Sequence, residues 1–174
     1  MKTIRFFRLL TVCMLSVAGL LGCQGTSDAP SYDTNNLLAI GSTIPARVFD
    51  VAGDDAVGKV ALIFLFKSGC NPCSQTTTNV VGPLWEQYKG HANFCIQGFY
   101  YGGNGTLPTY LEEHGHAAFP AFYDTPQRSV YFSFASSGYP RIFLFDANGY
   151  LHSHFYGYSD NLKADLIQNI NSLL

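Results

Sequence analysis

The stretch VALIFLFKSGCNPC (residues 60–73) joins a continuous apolar run to two cysteines that only Asn and Pro separate. Seven successive apolar residues, Val60 to Phe66, are typical of a strand that is covered on both faces in a parallel or mixed sheet. Cys70 and Cys73 follow this strand and open a predicted helix. These residues alone leave three possibilities for the pair: a structural disulfide, part of a metal site or a working redox pair.

Predicted strands and helices alternate around this stretch. In chain order they are a strand at 47–51, the strand at 59–66, a helix over 74–90 that is weak until 84–88, a strand at 93–102, a helix at 106–115, an extra strand at 119–123, a segment ambiguous between helix and strand at 127–134, two strands within 141–157 and a helix at 159–174. This order predicts an α/β fold with a mixed sheet.

The end of the chain carries the clearest local pattern. Asp146 to Gly149 separate two apolar runs, and Asn-Gly supplies the positive φ that a hairpin turn requires. The last helix is amphipathic, with Ser159 or Asp160 as its predicted cap. Its apolar face consists of Leu162, Leu166, Ile170 and Leu173.

The first residues have the features of an export signal. Lys2, Arg5 and Arg8 precede an apolar run that is short for a membrane span. The run ends in Leu-Leu-Gly-Cys, which resembles the bacterial lipobox and predicts a lipid on Cys23. The predicted divisions are a lipoprotein signal peptide (1–22), a flexible polar tether (23–39) and one domain (40–174). An ordinary secretory signal or a single anchoring helix is the alternative.

Charge excludes one class of partner. Without the basic start, the chain keeps 7 Lys and Arg against 12 Asp and Glu, and no basic cluster stands out. We therefore expect no nucleic-acid binding.

The spacing and position of Cys70 and Cys73 favour redox chemistry. Helix N–H groups and the positive end of the helix dipole would stabilise a Cys70 thiolate, and Cys73 would resolve the mixed disulfide that it forms. A disulfide over three residues closes too small a loop to constrain the unfolded chain much. An inert crosslink nevertheless stays open as an alternative.

No metal site is predicted. Zinc needs four ligands, and Cys95 lies alone in a predicted buried strand where it fits a small apolar residue. His152 and His154 would face the same way on a strand, and His114 and His116 are spaced alike, but solvent-facing histidines explain both pairs. The dense aromatics are expected in the core and at its rim, with a ligand groove beside Tyr139 as the alternative.

A proline far from the cysteines adds to the redox interpretation. Pro140 follows Gly138-Tyr139 and directly precedes a strand, a position that tolerates proline. An X–Pro bond there can be cis.

Together these features resemble the thioredoxin fold, and within it the TlpA/ResA-like (AhpC/TSA-type) exported thiol–disulfide oxidoreductases. The resemblance runs from IGSTIPARVFD (40–50) through VALIFLFKSGCNPC to GYPRIFLFDANGYLHSHFYGY (138–158). It implies a central mixed sheet flanked by helices, an N-terminal strand pair and an inserted segment before a cis-proline loop.

The resemblance also implies roles and partners. Cys70 and Cys73 would be the redox pair, with no further cofactor, and Tyr139-Pro140 would bind the substrate strand through its backbone. Partners would be exported proteins with thiols or disulfides, such as apocytochrome c, and a membrane electron donor of the DsbD type. The location would be the periplasmic side of a bacterial envelope, on a membrane that the sequence does not identify; the direction of exchange is not readable.

The chain departs from this family at three positions. Ser68-Gly69 stand where an aromatic residue often precedes the motif, and Phe64 stands where many thioredoxins have a buried acid. Pro83 comes later than the family's helix proline, which predicts an insertion or a delayed helix start.

Two other functions are weaker candidates. A thiol peroxidase would need Pro and Thr or Ser ahead of its cysteine, where Ile63 and Lys67 precede Cys70. A non-catalytic, thioredoxin-like binding lipoprotein with a structural disulfide is the main alternative.

Overall fold

A computed structural model describes residues 37–114, 118–124 and 127–174. Its strands are β1 (Val60–Lys67), β2 (Phe94–Tyr101), β3 (Ala121–Tyr123), β4 (Arg141–Phe145) and β5 (Leu151–Tyr156). Its α-helices are α1 (Ala46–Ala52), α2 (Asn71–Thr76), α3 (Gly82–Tyr88), α4 (Thr106–His114), α5 (Ser129–Ser133) and α6 (Leu162–Leu173). The predicted signal peptide, Cys23 and most of the tether lie outside the described residues.

The five strands form one mixed sheet in the order β3–β2–β1–β4–β5. The central strand β1 runs parallel to β2 and antiparallel to β4. Strand β3 extends the parallel side, and β5 forms the other edge as the antiparallel partner of β4. The predicted α/β class and mixed sheet are therefore confirmed.

Helices cover both faces of β1, which explains its continuous apolar sequence. Leu62, Phe64 and Phe66 point into a cluster that α3, α4 and α6 close. Ala61, Ile63 and Leu65 point into a second cluster with apolar residues of α1 and α5. Because alternate side chains of a strand face opposite sides, a strand that is buried on both sides needs an apolar residue at every position.

The predicted strand at Arg47–Val51 is wrong, because these residues belong to helix α1. The N-terminal strand pair is therefore not formed, and Thr43 makes an isolated bridge to Tyr150 instead. Val48, Phe49 and Val51 are residue types that favour a strand, but Val48 is fully buried against the α5 side of the core. Arg47 also donates from Nε to Ser129 Oγ over 2.9 Å.

The helix after the cysteines begins without delay. Helix α2 starts at Asn71, and a π-helical turn at Thr77–Val81 connects it to α3. Pro83 lies inside a helical run that continues from α2 through the π turn, since Val81 and Gly82 both have right-handed helical dihedrals. A proline has no N–H to donate to the preceding turn, and the π turn lies just before it. Of the two readings of Pro83, the delayed start is wrong, and a π turn occupies the stretch between the cysteines and the proline.

The predicted hairpin is confirmed. Gly149 has a φ of 79°, and Asp146 Oδ1 accepts 2.9 Å hydrogen bonds from the backbone N–H groups of Asn148 and Tyr150. The final helix α6 is also confirmed, with Leu162, Leu166 and Ile170 buried. Its predicted side-chain cap is wrong, because Asn161 occupies the cap position and no side chain bonds there.

The inserted segment between β2 and β4 contains α4, β3 and α5. The ambiguous residues 127–134 contain the short helix α5, and the extra strand is confirmed as β3. Gly98 of β2 makes room for this segment, since a Cβ there would lie 2.7 Å from a ring carbon of Phe119. Among the described helices, none has the length and apolar character to cross a membrane.

Candidate redox site

The two cysteines lie where β1 passes into α2. Their sulfurs form a disulfide of 2.09 Å, with the two Cα atoms 5.2 Å apart. Cys73 is fully buried, whereas Cys70 is only half-buried and its neighbours Asn71 and Pro72 are exposed. A second protein could therefore reach the sulfur of Cys70 but not that of Cys73.

Cys70 occupies the cap position of α2. Its Sγ accepts a hydrogen bond of 3.2 Å from the backbone N–H of Cys73, and its carbonyl accepts one of 3.1 Å from the N–H of Ser74. The first N–H groups of a helix have no partner inside the helix and carry partial positive charge. The sulfur of Cys70 thus lies where negative charge is stabilised.

Tyr139 and Pro140 lie directly before β4, at the same end of the sheet as the cysteines. The peptide bond between them is cis, one of the two forms that an X–Pro bond can take. Arg141 pairs with Leu65 across the antiparallel ladder, which brings Tyr139 to the level of Lys67, three residues before Cys70. The Nζ of Lys67 lies 5.9 Å from the centre of the Tyr139 ring. Cys70 and Tyr139 also pack against the same core cluster.

Helix α5 supports Tyr139 from the side. The ring of Tyr131 stacks on that of Tyr139 at 4.5 Å, and the buried carboxylate of Asp124 accepts from the N–H groups of Val130 and Tyr131 at 2.9 and 2.8 Å. Burial raises the pKa of Tyr139, the nearby Tyr131 and Asp124 add to the increase, and Arg128 opposes it. Tyr139 therefore stays neutral at physiological pH.

Arg128 is a site residue that sequence reasoning missed. It precedes α5 with a φ of 52°, a left-handed conformation that residues other than glycine seldom adopt. Its guanidinium carbon lies 5.0, 5.5 and 4.8 Å from the ring centres of Tyr101, Tyr131 and Phe132. Its segment fitted neither a clear helix nor a clear strand, and nothing local in the sequence indicates these contacts.

A cavity of about 440 Å³ is far from the cysteines, but a smaller one of about 330 Å³ adjoins them. The smaller cavity lies between α4 and the loop before Cys70, and Gly69, Tyr100, Tyr110 and Glu113 contribute to its wall. Gly69 has a φ of 65°, which disfavours any larger residue, and its missing Cβ would meet nothing within 4 Å. The surface directly before Cys70 is therefore open at Gly69.

Three solved structures that resemble this chain are covered along almost their whole length. A proposed thiol:disulfide interchange protein DsbE of Chlorobium tepidum is 21% identical, with a TM-score of 0.65 over 78% of this chain and 98% of its own. The thioredoxin domain of a thiol-disulfide oxidoreductase of Bacteroides vulgatus is 22% identical, with a TM-score of 0.59 over 77% and 99%. A secreted Mycobacterium tuberculosis disulfide oxidoreductase homologous to E. coli DsbE is 14% identical, with a TM-score of 0.56 over 80% and 99%.

The chain has the thioredoxin fold. No protein-family model and no curated protein sequence matches it. At these identities, similarity to solved structures shows the fold alone, so the roles of Cys70, Cys73, Tyr139 and Pro140 remain proposals. In this thioredoxin fold the four residues lie at one end of the neighbouring strands β1 and β4.

Among the described residues, the other polar candidates are not grouped into a site. Within the described part of the chain, no three His, Cys, Asp or Glu side chains are grouped so that they could hold a metal. His152 and His154 are exposed on the edge strand β5, and burial together with Arg141 lowers the pKa of His154. Of the second pair, His114 lies on α4 and His116 lies outside the described residues.

Cys95 is a buried thiol with a strongly shifted pKa. It is 3% exposed, and burial, with a smaller contribution from Asp55, raises its pKa from 9.0 to about 12. Between these values the unfolded state binds fewer protons than the folded state, so this thiol's contribution to stability is complete below about pH 9 and is lost as the pH rises towards 12.

We therefore expect the stability advantage of the wild type over Cys95→Ala to shrink with rising pH. Urea unfolding at about pH 8 and about pH 10 measures the free energy of unfolding of both proteins. Other alkaline titrations, including those of buried tyrosines, occur in both proteins and cancel in the difference. A difference that stays constant between the two pH values would contradict the assignment.

Proposed function

We propose that this protein is an exported, lipid-anchored thiol–disulfide oxidoreductase that exchanges disulfides with exported proteins through Cys70 and Cys73. One observation carries the proposal: an accessible sulfur caps the start of a helix while its partner sulfur is buried directly behind it. A structural disulfide that only crosslinks two parts of a fold does not need one accessible and one buried sulfur. A nucleophile and its resolving thiol require this arrangement.

The exchange balances without a further cofactor. In the reduced protein, the Cys70 thiolate attacks one sulfur of a partner disulfide, forms a mixed disulfide and expels the other partner sulfur as a thiolate. After losing its proton, Cys73 attacks Cys70 and expels the second partner thiolate. The partner has then gained two electrons, and Cys70–Cys73 is oxidised. In the reverse direction, the oxidised pair accepts two electrons from a partner dithiol.

The helix start and its surroundings supply the chemistry of the first step. Helix N–H groups stabilise the Cys70 thiolate. A buried acid that could take the proton of Cys73 is missing from the position six residues before Cys70, because Phe64 occupies it within the apolar core. Proton transfer to and from Cys73 would then pass through solvent or the partner.

Tyr139 and Pro140 are proposed to bind the extended partner segment that carries the target cysteine. They lie beside the end of β1, and the stacked Tyr131 supports the tyrosine ring. Exported proteins such as apocytochrome c would exchange disulfides at the periplasmic side of a membrane, to which a lipid on Cys23 would hold the domain. A DsbD-type donor would return the electrons.

Redox titration of the purified protein tests this function. A catalytic pair should equilibrate with glutathione or dithiothreitol buffers at a potential above about −300 mV, because it must give up and take back electrons in each cycle. Mass spectrometry after alkylation of the free thiols measures the fraction of protein in which the Cys70–Cys73 disulfide is formed. A pair that resists reduction below that potential would instead support the binding lipoprotein with a structural disulfide.

A further inference from the structure

Two cationic side chains, Lys67 and Arg128, lie against a surface of aromatic rings near the cysteine pair. We call this surface the cationic patch; it consists of Lys67, Tyr101, Arg128, Tyr131, Phe132 and Tyr139. The ends of β1 and β2 and the residue before Pro140 meet here, since Lys67 pairs with Tyr101 in the parallel ladder and lies over the Tyr139 ring. The patch therefore adjoins the residues that would contact a partner.

The two cations of the patch differ from the paired surface cations. Arg47, Lys59 and Lys89 each form an ion pair with an acid three or four residues away along the chain. Among the described residues, no ion pair involves Lys67 or Arg128, which lie against aromatic rings instead. When one face of a guanidinium lies against a ring, its N–H donors still point outward in the guanidinium plane. They can therefore bind a carboxylate there.

Asp124 offsets part of this charge, because its carboxylate and the guanidinium of Arg128 act on the pKa of Tyr139 in opposite directions. The carboxylate of Asp124 is buried and accepts from two backbone N–H groups of α5. Glu113 is exposed, but it lies in the wall of the cavity beside Gly69, together with residues of α4. Lys67 and Arg128 are both partly exposed, whereas Asp124 is buried, so the side of the redox site near Tyr139 presents two cations to a partner.

We propose that the cationic patch selects partner segments with acidic residues next to the target cysteine. This inference rests on the proposed function and names its preferred substrate class. The patch would bind an Asp or Glu of the partner while the backbone of the same segment lies along Tyr139-Pro140. Exposed charge pairs are individually weak. We therefore expect the patch to raise the exchange rate with acidic partners, while exchange still occurs without it.

Two matched peptide disulfides test the inference with the reduced full chain in a neutral detergent. The peptides differ only in whether Glu or Lys flanks the disulfide, and each rate constant is divided by that for dithiothreitol, which removes the intrinsic effect of the flanking charge. At about 0.05 M salt, we expect the acidic peptide to react about fivefold to tenfold faster than the basic one. At about 1 M salt, where charges are screened within about 3 Å, the ratio should approach one.

Variants assign the preference to the patch. The double variant Lys67→Gln/Arg128→Gln should bring the low-salt ratio close to one. The control Lys163→Gln removes an exposed lysine of α6 and should leave the ratio unchanged. When Arg128→Lys replaces Arg128→Gln in the double variant, most of the preference for the acidic peptide should remain. This result would separate loss of charge from disturbance of α5.

Each outcome decides between the two proposals. Exchange at equal normalised rates for both peptides, or a preference that survives the double variant, would overturn the inference and leave the proposed function intact. Vesicles of anionic phospholipid that bind the wild type but not the double variant, with no preference between the peptides, would assign the patch to a membrane surface. Failure to reduce either peptide would overturn the oxidoreductase function together with the inference.

Discussion

Cys70→Ser should abolish disulfide exchange, lowering the turnover of a peptide disulfide by about 10³-fold or more. A serine hydroxyl does not ionise near neutral pH and forms no disulfide, so the attacking group is removed. Cys73 cannot replace it, because its sulfur is fully buried behind that of Cys70. Turnover is measured with a fluorogenic peptide and excess reductant.

Cys73→Ser should give a different defect from the same pair. The attack by Cys70 remains, but the mixed disulfide is no longer resolved from inside the protein, so a covalent complex with the peptide should accumulate. Mass spectrometry under non-reducing conditions detects that complex. The control Cys95→Ala removes the buried third cysteine and should leave turnover close to that of the wild type. Equal residual turnover in the Cys70 and Cys73 variants would show that the two sulfurs are interchangeable, contrary to the asymmetric burial.

Much of the fold could be predicted because local sequence and tertiary packing agree along β1 and the hairpin. A strand buried on both faces leaves an unbroken apolar run, and a tight turn leaves Asn-Gly, so each pattern has one main structural meaning. The start of α2 is also local, since Cys70 caps the helix and Pro72 suits its first turn. These features were enough to place the cysteines at the end of a central strand.

The errors fall where packing overrides a local pattern. Val48, Phe49 and Val51 favour a strand locally, yet residues 47–51 form a helix in which Arg47 contacts Ser129, 82 positions away in the chain. The Arg128 contacts depend in the same way on a left-handed residue, on the end of β2 and on α5. No window of sequence contains these partners together. The candidate cysteines were therefore predictable from sequence, whereas the charged surface around them required the structure.

The aromatic core beneath the redox site should dominate the stability of the domain. Phe66 is fully buried, stacks on Phe64 at 4.6 Å and lies 5.2 and 5.4 Å from the rings of Tyr100 and Tyr110. It thus connects the central strand to β2 and α4. Phe119, from the inserted segment, approaches the same ring to 6.2 Å.

We expect Phe66→Ala to lower the free energy of unfolding by about 3–5 kcal/mol, because it removes a buried ring and leaves a cavity that rigid neighbours cannot fill. Phe132→Ala is the matched control, since its ring is 57% exposed and its loss should cost less than about 1 kcal/mol. Urea unfolding of both variants at neutral pH measures the difference. Similar small losses in the two would mean that the ring of Phe66 is replaceable, and that the position of Lys67 and Cys70 at the end of β1 depends on the backbone ladder more than on the aromatic core.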